Sequence, residues 1–530
     1  MTRMTTFVTL GILVGLATGA PAADKLAMAS RAKAAQKLSQ KIDQHLQARF
    51  VAEQIEPAPL ADDAEFFRRA WLHVAGTIPP VSEVRRFLAD DSSDKRPRLI
   101  DELLERPSYI REFTTFWRRA WLPEAETDVM VQGRVPAVES WLQQELLADK
   151  GYHEIVRAML TVPLPTSTAA SPATLNEANN GPLAFYLAKD AKPENLAAGV
   201  SRAFLGVRLD CAQCHDHPFD KWKRDQFWSF AAFFAGLERD MDQPNPTAGR
   251  LREEPGRQVL RVPETEKLVS AVFLDNTETN WRSRNGREVL AEWITSPKNP
   301  FFARAAVNRL WGHLFGVGLV DPVDDFSPAN PPSHPELLEE LADAFVARNY
   351  DVKFVLQAMM GSQAYQRTSR QVQSDLPLQL FAQMPVQGLS SEQFLRSLAM
   401  IVGPNNQSAT PMPPLGLPMP DNFAALFARP GESATQRQTT ILQALALMNG
   451  RMTATAVDAE NGPLLSAVVD FPATTPERVE TLFLGCLSRL PTTDESARFV
   501  KYVDGAPDGK SALTDVLWAL LNSTEFACNH

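Results

Sequence analysis

The sequence predicts a mainly α-helical fold: packed helical hairpins in two larger domains, with a small β element between them. Three observations carry this. Apolar residues recur three and four apart over most of the chain, glycine and proline fall at the ends of these runs, and β-branched alternation is confined to one short stretch. The expected divisions are a leader over 1–22, a helical domain over 23–240, a linker or small β element over 241–284 and a second helical domain over 285–530. A sub-boundary is expected near 403–434.

The elements follow in order. "SRAKAAQKLSQKIDQHLQARF" opens the first domain as an amphipathic helix, and "DDAEFFRRAWLHVAG" follows with Phe66, Ala70 and Val74 four apart. Gly76 ends that helix, and Pro79 with Pro80 prevents its resumption. Between about Arg239 and Asn280, "QPNPTAGRLREEPGRQ" reads as a loop, and "VLRVP" and "VSAVFL" read as short strands. Helical spacing returns at "REVLAEWITS" and "NPFFARAAVNRLWGHLFGVG", where Val307, Trp311 and Phe315 share a face and Gly316 is placed as a left-handed cap. Ser333 to Glu336 has capping-box spacing for the helix "PELLEELADAFVARN", whose Leu337, Leu338, Leu341 and Phe345 form a core face. "NNQSATPMPPLGLPMPDN" is a second break, and a last helical block starts near Thr435.

One internal echo constrains the architecture. At a constant offset of 412, "WLHVAGTIPPVSEVRRFL" and "FLGCLSRLPTTDESARFV" align Leu72 with Leu484, Pro79 with Pro491, Glu83 with Glu495, Arg86 with Arg498 and Phe87 with Phe499. The helices after them end alike, in "DELLERPSY" and "WALLNSTEF", and "LQAMMGSQAY" ends the same way mid-chain.

Residues 1–22 have Arg3, an apolar run from about Phe7 to Ala17, and small residues at Ala20 and Ala22. This is the pattern of a cleaved secretory signal peptide, so the protein is expected to be exported, periplasmic or extracellular, without a membrane span in the mature chain. Cleavage removes Arg3 and no acid, so the formal charge moves from −10 to −11, which argues against nucleic acid as a partner. Four cysteines are too few for a disulfide scaffold.

Two of those four cysteines stand in "VRLDCAQCHDHPFDKW" with two of the eight histidines: Cys211, Cys214, His215 and His217. Cys-x-x-Cys-His is the arrangement for covalent haem attachment. Cys211 and Cys214 would form the thioethers and His215 would be the proximal iron ligand, with His73, His313, His334 or a methionine open as the sixth. The alternatives are a compact zinc site that adds His217, strained by adjacent ligands at 214 and 215, and a local Cys211–Cys214 disulfide. Phe227, Phe230, Phe234 and Leu237 downstream share a helical face and read as core rather than as a porphyrin wall. Asp321, Asp324 and Asp325 with His334 read as a solvated turn with capping acids, and His313 as a capping or core residue. Cys486 and Cys528 read as buried thiols, with a second disulfide left open. No Gly-rich phosphate loop, nucleophile elbow or His-Glu-x-x-His pattern occurs.

"FFRRAWLHVAGTIPPVSEVRRFLADD", "SRAFLGVRLDCAQCHDHPFDKW" and "NPFFARAAVNRLWGHLFGVGLVDPVDDFSPANPPSHPELLEELADAFV" resemble a large planctomycete-type family of exported paralogues. That family joins an N-terminal cytochrome-associated domain of unknown function to a second, C-terminal domain of unknown function. The resemblance covers roughly 38–240 and 285–525 and carries no established activity with it. Relatives with added cytochrome or carbohydrate-binding modules imply electron transfer or polysaccharide use. The chain departs from the family at "FARPGESATQRQTT", where relatives have a cysteine-containing segment before "LQALALMNG". The leading expectation is a c-type cytochrome-like protein with haem c and redox partner proteins. The alternatives are a glycan- or protein-binding scaffold with a structural Cys/His clip, and a polysaccharide hydrolase using Asp216 and His217 or the Asp321 to His334 loop.

Overall fold

The long amphipathic opening stretch folds as the helix Ala22–Glu53, and its every-fourth positions Leu38, Ile42, Leu46 and Phe50 are buried. That stripe lies along the helices Val352–Gly361 and Pro335–Ala347 of the second half of the chain. The computed structural model describes residues 22–164, 177–218, 220–240, 250–254, 256–277, 285–370, 376–403, 435, 457 and 462–529. The leader, the 404–434 stretch with its sub-boundary, most of the 436–461 block and the departing "FARPGESATQRQTT" segment lie outside the described residues, Thr435 excepted.

The described chain is mainly α, with the short strands paired as three small antiparallel ladders. Val259–Arg261 pairs with Leu268–Ser270, at the predicted strands; Arg250–Glu253, inside the stretch read as a loop, is instead a strand, because it pairs with Leu237–Asp240. Gln387–Gly388 pairs with Cys528–Asn529, which brings the last described residues back onto the body. The expected glycine stops hold: Gly76 (φ 67°) ends Asp63–Ala75 and Gly316 (φ 77°) ends Phe302–Phe315, both in the left-handed region. The capping box at Ser333 does not form. Pro335 is the first helical residue, His334 takes the cap position, and the Ser333 hydroxyl turns to His334 Nδ1.

A main apolar core runs from Ala35 to Met384 through both predicted helical halves and takes in Leu484 from the last helices. A second core gathers Phe394, Leu465, Phe483, Leu517 and Phe526 among the helices Ser391–Val402, Pro463–Asp470, Thr475–Leu487, Thr493–Asp504 and Gly509–Leu521. The internal echo is structural. The helix Asp63–Ala75 and the start of Val81–Leu88 recur at the same offset as Thr475–Leu487 and the start of Thr493–Asp504, and Ser488 (φ 61°) repeats the left-handed turn of Gly76. Phe67, Trp71 and Val74 face the main core; their offset partners Val479, Phe483 and Cys486 face the second. Leu72 and Leu484 are exchanged: Leu72 is buried in the second core and Leu484 in the main one. The three similar helix endings each bury an aromatic ring: Tyr109 and Tyr365 in the main core and Phe526 in the second.

Candidate functional site

The Cys-His segment is delivered to the surface by an irregular run of backbone. The helix Pro193–Val200 passes into a π turn, Ser201–Leu205, which Gly206 closes at φ 67°. π turns are rare and widen the helix by one residue, and Arg202 within this one is exposed. A side chain at Gly206 would meet the Phe326 ring, whose own backbone N–H donates to the Gly206 carbonyl at 2.8 Å. Arg202 Nε and Arg208 Nη2, on either side of this glycine, both donate to Asp324, at 2.5 and 2.6 Å. Burial favours the protonated acid, yet the two guanidiniums win and hold the Asp324 carboxyl below its usual range.

Asp210–Gln213 then makes a 3-10 turn. Its Ala212 is the inward residue, while Cys211, Cys214, His215 and Asp216 are exposed. Two tryptophans hold this segment: Trp222 is buried and its backbone carbonyl accepts from the His217 N–H at 2.8 Å, and Trp228 Nε1 donates to the Gln213 carbonyl at 3.0 Å. Both thiols are free. His215 Nδ1 lies 2.8 Å from the Asp216 carbonyl. A carbonyl only accepts, so Nδ1 carries a proton and the neutral ring has its lone pair on Nε2. Asp216 accepts from the Arg224 backbone N–H and from Lys223, which lowers its pKa, and this engages it as a cap for the next helix rather than as a free acid.

Among the described residues no three His, Cys, Asp or Glu side chains converge as metal ligands would. His217 would therefore join Cys211 and Cys214 on one ion only after the turn rearranged. The donor set does fit haem attachment in chemical kind: two free exposed thiols three residues apart, followed by an exposed imidazole whose second nitrogen is already bonded. Phe227, Phe230, Phe234 and Leu237 are buried core.

The remaining candidate residues have other partners. The Asp321–Asp325 turn is not simply solvated, because Asp324 is buried and clamps the motif segment to the second half of the chain. Sequence reasoning missed Arg202 and Arg208; a basic pair around a lone glycine just ahead of the motif was the available signal. His73 sits in the interior, its Nε2 accepting from Asn529 Nδ2 at 2.9 Å and its Nδ1 3.0 Å from the Tyr365 hydroxyl. His313 Nε2 donates to the His73 carbonyl at 2.9 Å. His334 is buried with Nδ1 on the Ser333 hydroxyl.

Burial pushes His73 well below the usual imidazole range and His334 down to about 4. An unfolded histidine takes up its proton near pH ~6.5, before these folded ones do. Stability is therefore complete above about pH 6.5 and falls as the pH drops toward 4, by about 3 kcal/mol from a group with the His334 shift alone. Urea midpoints at pH 7, 5.5 and 4 should fall in that order, and His334→Gln should flatten the slope. A flat wild-type profile would contradict this.

The fold and the turn together define a mainly helical protein that presents a Cys-x-x-Cys-His sequence at its surface. Residues 41–239 match the family model PSCyt2, described as a protein of unknown function (DUF1549), and residues 286–418 match PSD1, a protein of unknown function (DUF1553). The chain belongs to the proteins that carry these two planctomycete-type domains of unknown function in this order. No curated protein and no solved structure matches it. Among the described residues no helix is long and apolar enough to cross a membrane.

Proposed function

We propose that this is an exported c-type cytochrome-like protein that carries one covalently bound haem and serves electron transfer or redox support of an extracytoplasmic process. The observation that supports it is the exposed turn in which Cys211 and Cys214 are free thiols and His215 has its Nδ1–H already committed to the Asp216 carbonyl. Cys211 and Cys214 would hold the porphyrin edge, and His215 Nε2 would face the iron. A haem so held supplies a one-electron couple. The protein's own part is to fix the turn from behind: Trp222 and Trp228 prop it, and the Arg202–Asp324–Arg208 clamp sets where it emerges. Redox proteins are the partners this reading implies, and export follows from the leader read over residues 1–22.

The test is to express the full chain in a host with haem-attachment machinery and record a haemochrome spectrum before and after acid–acetone extraction. Pigment retained by the wild type and lost in the Cys211→Ser/Cys214→Ser double variant is the expected result. Both positions are exposed, so the variant's stability should stay within about 0.5 kcal/mol. A colourless wild-type protein sinks the proposal.

A further inference from the structure

A cavity of about 660 Å³ opens between the second half of the helix Ala22–Glu53 and the turn at 363–367, in a part of the molecule built from other residues than the Cys-His turn. It is open to solvent, with Gln44, Gln47, Ala48 and Val51 of its lining exposed. Two opposite charges line it. Asp43 enters from the helix, where its carboxylate accepts from the Gln363 backbone N–H at 2.8 Å. Arg367 enters from the turn, 8% exposed, with Nη1 donating to the Ala58 carbonyl at 2.6 Å and its plane over the Phe50 ring at 5.5 Å; its Nε has no partner.

Asp43 and Arg367 sense one another's charge but make no ion pair. Burial, the largest influence on each, pushes Asp43 up and Arg367 down, against backbone N–H donors from Gln363 and Ala364 on the Asp43 carboxylate. A carboxylate and a guanidinium that line one cavity without pairing match a ligand with the complementary pair of charges. The rest of the lining is uncharged and includes the Gln47 amide, Phe50, and Val51, which is 69% exposed. An anion alone would leave Asp43 facing it, and a cation alone would leave Arg367 facing it.

We infer that this cavity binds a zwitterionic ligand of dipeptide size, its ammonium toward Asp43, its carboxylate toward Arg367 and an apolar side chain against Phe50 and Val51. The probe is the dipeptide Leu-Leu, titrated into the full-length protein by calorimetry beside its N-acetylated and its amidated forms, each of which removes one charge. Free Leu-Leu should bind at least tenfold more tightly than either capped form. Asp43→Asn, which keeps an oxygen for the Gln363 N–H, should erase the advantage of the free amine, and Gln47→Trp, an exposed change that fills the cavity, should weaken all three. Equal affinity for free and capped dipeptides, no binding at millimolar concentration, or a Gln47→Trp protein that binds as well as the wild type would each overturn the inference. None of these readouts depends on haem.

Discussion

Arg68→Met is expected to cost at least about 3 kcal/mol of stability and to loosen the last residues of the chain. Arg68 is fully buried on the helix Asp63–Ala75 and faces carbonyl groups rather than a carboxylate. Its Nη1 donates to the Cys486 carbonyl at 3.0 Å, and its Nη2 to those of Glu525, Phe526 and Cys528 at 3.2, 3.1 and 3.2 Å. Neutral acceptors repay only part of the desolvation, and burial draws the guanidinium down to about 10. Methionine fills much of the same volume but donates nothing, so the carbonyls it abandons stay buried and unpaired, each at about 1–3 kcal/mol. The check is urea unfolding, together with amide exchange at 526–529, which should become fast in the variant. Stability within 1 kcal/mol of wild type would show that these carbonyls find water or other donors.

Arg287→Met should be comparably damaging, at about 3–5 kcal/mol, because it strands a buried acid. Arg287 Nε and Nη2 hold both oxygens of Glu253 at 2.7 and 2.6 Å, and its Nη1 donates to the Leu160 and Val162 carbonyls at 3.0 and 3.1 Å. One side chain thus joins the strand Arg250–Glu253, the helix Gly286–Ile294 and the end of Tyr152–Leu160. Adding Glu253→Met to Arg287→Met removes the stranded charge and should restore part of the loss, with a coupling energy above about 1 kcal/mol. Strict additivity of the two substitutions would refute the pairing as a unit.

Periodicity and punctuation made the helices legible, since apolar spacing and the stops at Gly76 and Gly316 depend only on local chemistry. The echo was legible too, and the repeated left-handed turn at Gly76 and Ser488 gives it physical form. What stayed hidden depends on distant partners. Arg68 and Arg69 of "FFRRAW" are both interior, Arg69 paired with Glu65 and capping the Tyr365 and Arg367 carbonyls. Glu65 in turn accepts from Thr368 and Ser369, which no local pattern announces. The Cys-His motif was visible as a string of residues, but the anchoring of the segment before it was not, because Arg202 and Arg208 bond Asp324 more than a hundred residues later. Ser333 shows the reverse error: the capping pattern was present, and Pro335 with its fixed backbone moved the helix start by one residue.

The exchange of Leu72 and Leu484 makes each of the two echoing units the plug of the other's socket. A paralogue's last helical unit transplanted onto this body would bring its own plug and meet a foreign socket, so the two units must change as a matched pair. Drift in one lineage would then leave a record in the other half of the same gene, and chimeras that exchange both units together should fold where single exchanges fail.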